Sequence, residues 1–122
     1  MITLIENLPR NIIGFKYDEE VTADDYETIL FPAFEVASAN MEHFNVLCEL
    51  GENFTNIKPG AIKDDLEIGL RYFRKWKKIA LISDKQWVNH TVQALRFIIP
   101  GHVRTFTTDK KKEAIDWLSA PV

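Results

Sequence analysis

The chain has 122 residues, 46% of them hydrophobic and 27% charged, with a net charge of -3 and a single cysteine. That length predicts one domain over 1–122 that hides roughly two-thirds of its unfolded surface, and the composition excludes a disordered chain. The acidic balance argues against nucleic-acid binding, and no apolar run reaches the roughly 18 residues that stable membrane insertion requires.

In chain order, Ile2 and Leu4 give a weak strand signal, Leu8-Pro9-Arg10-Asn11 reads as a turn, and Ile12 to Tyr17 is a second strand. Residues 2–17 thus have the makings of a hairpin. Gly14 inside the second strand marks a bulge or a close approach by another element. The stretch Met1 to Asn7 has no basic segment before its apolar part, and one cysteine cannot form an internal disulfide. Both point to a cytoplasmic protein.

Thr22 is a natural N-cap for a helix whose first turn carries Asp24 and Asp25. Tyr26, Ile29, Leu30, Ala33, Phe34 and Ala37 form its apolar face. Pro32 removes one backbone donor and predicts a kink near Thr28 within one continuous helix. Asn45 to Leu50 is a third strand and Ile79 to Ile82 a fourth. Between them lies the loop 51–58 and a helix opened by Pro59-Gly60, with Ile62, Leu66, Gly69, Leu70 and Phe73 expected to face inward. Two short apolar strands joined by such a helix lie parallel with a right-handed crossover. Late in that helix, Arg71, Arg74, Lys75, Lys77 and Lys78 are expected at its negative end.

Ser83-Asp84 is the expected cap of a third helix that buries Trp87, Val88, Thr91, Val92, Leu95, Ile98 and Ile99 and stops at Pro100-Gly101. Val103 to Thr107 is a last strand. Thr108 or Asp109 opens a final helix, Lys110 to Leu118, with Ala114, Ile115, Trp117 and Leu118 packed inward.

Candidates for chemistry are few. The three histidines, His43, His90 and His102, have no ligand partners at metal-binding spacing. Ser38, Ser83 and Ser119 lack a nucleophile setting, and Cys48 reads as a small buried apolar group. Glu49 stands near the end of a central strand, where it can bind a ligand, act as a base, or simply be solvated or paired. Neither nucleotide fingerprint is present. The basic and aromatic run from Arg71 to Lys78 suits RNA or an acidic membrane, but in an acidic chain it reads better as core rings with helix-end bases. No catalytic set, metal or cofactor is expected.

Several stretches, taken in order, resemble the SpoIIAA-like proteins, small relatives of STAS domains (the anti-sigma-factor antagonist fold) with a further likeness to Sec14-type CRAL-TRIO lipid-binding domains. They are 21–27, Leu47-Cys48-Glu49-Leu50-Gly51, Pro59-Gly60-Ala61, 69–74, 82–87 and 100–104. The resemblance implies an α/β fold: a right-handed βα superhelix, with a five-stranded mixed sheet, an antiparallel edge strand and about four helices. In regulatory STAS proteins a phosphorylatable serine after an aspartate opens the helix following the third strand. No Asp-Ser pair stands in 51–60, where Thr55 is the single hydroxyl, so that serine is not carried over.

Two functions are expected to compete. The first is a non-enzymatic interaction or regulatory module that contacts a protein partner through Phe54, Thr55, Asn56, Ile57 and Gly60, with Phe54 and Ile57 as apolar anchors. The second is a domain binding a small apolar, lipid-like or anionic ligand in a pocket lined by Glu49, Trp76, Trp87 and His90. Homodimerisation through a sheet edge or an exposed helix is compatible with both.

Overall fold

The computed structural model describes residues 1–72, 74–95 and 102–120. Five strands form one mixed sheet: β1 (Ile2–Ile5), β2 (Ile12–Tyr17), β4 (Phe44–Leu50), β6 (Trp76–Ile82) and β7 (His102–Phe106), adjacent in that order. β1 is the antiparallel edge, with Ile2 opposite Tyr17, and the other four run parallel. Two dipeptide strands, β3 (Glu20–Val21) and β5 (Asn56–Ile57), make a separate parallel pair.

The sheet is covered on both faces, which is why its central strands read as near-continuous apolar runs. One face buries Phe15, Tyr17, Val46, Cys48 and Trp76 against Tyr26, Leu30, Phe34, Ala61, Ile68 and Tyr72. The other buries Ile12, Leu47, Ala80, Ile82 and Phe106 against Ala114 and Leu118 of α5 (Lys111–Ser119). A bulge keeps this alternation working. Phe44 to Val46 spans two steps on β4 while Trp76 to Ile79 spans three on β6. The extra residue turns both Trp76 and Ile79 toward the same core. Asn45 repairs the broken ladder: its Oδ1 accepts from the Lys78 amide at 3.0 Å, and its Nδ2 donates to the Leu118 carbonyl at 2.7 Å.

The first helical stretch is continuous but not uniform. Thr22 caps α1 (Ala23–Asp25) in a reciprocal capping box with Asp25. A π turn follows at Tyr26–Leu30, then α2 (Phe31–Asn40). Pro32 has no amide to give the Thr28 carbonyl, so the ladder widens and the Phe31 amide reaches back to Tyr26 instead. The expected kink is realised as this wide turn. The apolar face stays in phase, with Tyr26, Leu30, Phe34 and Ala37 buried.

Gly14 is a place of close approach: a methyl added there would collide with Leu8 and crowd Ile5. The remaining helices are α3 (Pro59–Arg71) and α4 (Gln86–Leu95), with a 3₁₀ turn at Thr108–Lys110 before α5.

The face expected for α3 is corrected. Ala61 and Ile68 are the buried residues, while Ile62, Leu66 and Leu70 are 50%, 64% and 75% exposed. Ala61, Ile68 and Tyr72 fill the groove against the π turn and the sheet, leaving Ile62, Leu66 and Leu70 outside. Trp87 is likewise exposed rather than buried, as is Thr91, whereas Val88 is buried as expected. Phe73, Ile98, Ile99, the Leu95 side chain and the Pro100-Gly101 stop lie outside the described residues.

Candidate functional site

Every parallel strand leads into a helix, so helix starts and strand carboxyl ends gather at one edge of the sheet, the usual place for a site in this architecture. Tyr17 ends β2 there, and its hydroxyl lies 2.5 Å from that of Tyr26 in the π turn. Tyr26 in turn donates to Asp65 Oδ1 of α3 at 2.9 Å. With the Tyr26 proton directed at a carboxylate, Tyr17 is the donor to Tyr26. The relay therefore runs from core to surface: Tyr17, Tyr26, Asp65.

Burial pushes the Tyr17 hydroxyl well up, helped by Cys48, Tyr26 and Asp65 close by. Tyr26 is raised chiefly by burial and then by the Asp65 charge. Cys48 is also pushed up, by burial first and then by Asp65 and Glu49. All three stay protonated at neutral pH, so none is an activated nucleophile or a poised base. Asp65 is raised too. The crowded core beneath its carboxyl is the main cause, opposed by the hydrogen bond from Tyr26. Much of the residue is open to water, which tempers that push.

Above this relay lies a stack of rings. The Phe54 centroid is 6.4 Å from Tyr17 and 6.3 Å from Trp87, with the Trp87 ring outermost. Phe54 is thus corrected from exposed anchor to core: it is 4% exposed. The loop around it is tied down. The Gly51 amide donates to the Tyr17 carbonyl at 2.7 Å, Thr55 to Glu19 at 3.0 Å and Lys58 to Val21 at 2.9 Å. Thr55, Asn56 and Gly60 are exposed and Ile57 is half-buried. Gly60 also permits close helix packing, since an added Cβ would sit 3.3 Å from that of Ala23.

The four residues expected to line a pocket do not converge. Trp76 pairs with Phe44 at the start of β6, whereas Glu49 pairs with Ile82 at its far end. Five residues of strand separate Phe44 from Glu49, about 17 Å. Trp76 is buried, and Trp87 and His90 stand on the exposed side of α4. Glu49 is half-buried and pairs with Lys111 at 3.4 Å. A small cleft of about 210 Å³ lies elsewhere, lined by Gln93, Val103, Arg104 and Thr105.

The remaining polar groups at this edge serve the fold. Ser83 Oγ accepts from the Lys85 amide at 3.1 Å, a turn bond just ahead of the start of α4 at Gln86. Asp84 Oδ1 instead accepts from the Thr108 amide at 2.9 Å, and this bond lowers its pKa. Two of the bases after α3, Lys75 and Lys78, serve the ends of other helices. Lys75 donates to the Ser38 and Met41 carbonyls at the end of α2. Lys78, in β6, is buried, and its ammonium donates to the Trp117 and Ala120 carbonyls at 2.8 Å each while lying 5.3 Å over the Trp117 ring. Among the described residues no group of three His, Cys, Asp or Glu side chains is placed to hold a metal. No described helix is long and apolar enough to cross a membrane.

A mixed sheet in the order β1-β2-β4-β6-β7, with an antiparallel edge and helices on both faces, defines a STAS-like α/β module. The SpoIIAA-like family model matches residues 12–119, and the chain belongs to that family. A solved structure from Shewanella loihica, an uncharacterized DUF3478-family protein with a SpoIIAA-like fold, is similar at a TM-score of 0.81 and 24% identity, covering 96% of this chain and 93% of that one. At that identity the likeness establishes the fold alone. A search of curated proteins found no match to this chain.

Proposed function

We propose that this chain is a non-enzymatic STAS-like recognition module whose contact surface is the sheet edge around Trp87. The observation that carries this reading is how the side chains at that edge are used. Glu49, Asp84, Ser83, Tyr17 and Tyr26 are engaged in internal bonds, and Cys48 is buried. A tryptophan seated on a rigid ring stack remains open, bordered by the tethered loop that presents Thr55, Asn56 and Ile57. Amphipathic rings on a preorganised support are favoured contact anchors, because little conformational freedom is lost on binding. The partner is a protein with an apolar surface matched to the indole.

The test is affinity capture with the wild-type chain and with a Trp87→Ser, Thr55→Ala, Asn56→Ala variant. The expected result is a partner retained by the wild type and lost by the variant, with the variant's melting temperature little changed. Equal capture by both would refute the reading. Native mass spectrometry of freshly purified protein addresses a ligand-binding role directly: a retained adduct of small-molecule mass would favour that role instead.

A further inference from the structure

We propose that the outer face of α3 is a self-association surface that packs antiparallel against α3 of a second copy. This goes beyond the recognition role of the Trp87 edge and rests on different side chains. Ile62, Leu66 and Leu70 recur every four residues along the 13-residue helix and form one stripe on its solvent side. Gly69 lies beside the stripe, and nothing stands within 4 Å of where its Cβ would be, so the helix surface is notched there. A ridge of aliphatics next to a glycine notch suits close approach of another helix.

The charges choose the occupant. Lys63 and Glu67 share one flank of the stripe, one turn apart. Lys63 has no ion-pair partner among the described residues, while Glu67 holds Arg71 at 2.9 Å. Set a second α3 antiparallel with Leu66 on the two-fold axis. Ile62 then faces the partner's Leu70, and Lys63 stands level with the partner's Gly69. The partner's Glu67 is about 3 Å further along the axis, within reach of the lysine. The two-fold repeats the pair, so each contact surface offers its Lys63 to the carboxylate beside Arg71 on the other. One helix pair is small beside the roughly 1,200 Å² of a stable interface, so the dimer is concentration-dependent.

Sedimentation velocity on the full chain from about 10 µM to about 1 mM spans the range expected of such a contact. The wild type should shift from monomer toward dimer. Leu66→Glu sets two carboxylates at the axis and should remain monomeric at every concentration. Lys63→Glu, at an exposed position that leaves the fold intact, should weaken association about tenfold. Lys63→Glu combined with Glu67→Lys should restore it. A wild type that stays monomeric throughout overturns the proposal and leaves the Trp87 reading untouched. So does undiminished association in Leu66→Glu, or a charge swap that fails to rescue.

Discussion

Phe54 lies nearly parallel to Trp87, their planes 20° apart and their centroids 6.3 Å apart, yet the first ring is core and the second is surface. The two should therefore answer very differently to truncation. Phe54→Ala removes a buried ring wedged between Tyr17 and Trp87 and should cost about 3–5 kcal/mol. Trp87→Ala should cost less than about 1 kcal/mol, because its outer face is already wet. Urea midpoints of the two variants check the contrast. Similar losses would mean that the stack is one cooperative unit.

Lys78 is expected to matter more for stability than any other base of the 71–78 run. It is the donor to two carbonyls at the end of α5, and it is buried against Trp117. Lys78→Met keeps the aliphatic stem but leaves those carbonyls without the ammonium, at a cost of about 2–3 kcal/mol. Lys77→Met, at an exposed neighbour, should change stability by less than about 0.5 kcal/mol. Chemical denaturation of the pair separates a helix-end clamp from a general charge effect.

These two residues also show what the sequence could and could not disclose. Apolar period and turn chemistry sufficed for the order of the five main strands and their helices, because the middles of β4 and β6 are covered on both faces and read as short apolar runs. Thr22, Gly14 and the inward face of the first helix were legible for the same local reasons. The side of α3 was not. Its apolar stripe is longer than its buried one, and the helix sits with Ala61 and Ile68 inward, where the small Ala61 allows close approach. Phe54 in a polar loop reads as exposed until the β3–β5 pair and three loop hydrogen bonds fold it under Trp87. Nor could spacing reveal Tyr17, Tyr26 and Asp65 as one chain of bonds, since 39 positions separate the last two. Lys78 reads as the tail of a helix until the bulge beside Asn45 assigns it to a strand.

Gly14 should resist replacement for a reason that a second mutation can remove. A methyl at this position meets Leu8 first and Ile5 next. Gly14→Ala should cost about 1–3 kcal/mol through overpacking. Leu8→Ala removes the nearest obstacle, so the double variant should be more stable than the sum of the single losses implies. Strict additivity would place the cost in the strand backbone instead.

Within the tyrosine relay, Tyr26 carries two bonds and Tyr17 one. Tyr17→Phe leaves Tyr26 still donating to Asp65 and should cost about 0.5–1.5 kcal/mol. Tyr26→Phe strands the buried Tyr17 hydroxyl without an acceptor and should cost about 1–3 kcal/mol. The order of the two urea midpoints is the check. A larger loss for Tyr17→Phe would refute Tyr26 as the hub of the relay.

Asp65 should give the fold a measurable pH dependence of defined sign. Its carboxyl titrates higher in the folded chain than in the unfolded one, because the core beneath it disfavours the charge more than the Tyr26 bond favours it. Between the two pKa values the native state holds the proton and the unfolded state has released it. Stability from this group is thus fully present below the unfolded value of about 3.9 and is lost as pH rises through the folded value. Asp65→Asn keeps an oxygen to accept from Tyr26 and abolishes the titration. The variant should therefore gain on the wild type as pH rises from about 3 to about 7, and the two should converge at the acid end. Urea midpoints for both chains across that range decide the matter. A difference that is constant, or that narrows with rising pH, would show that the hydrogen bond from Tyr26 outweighs burial and holds the Asp65 carboxyl down.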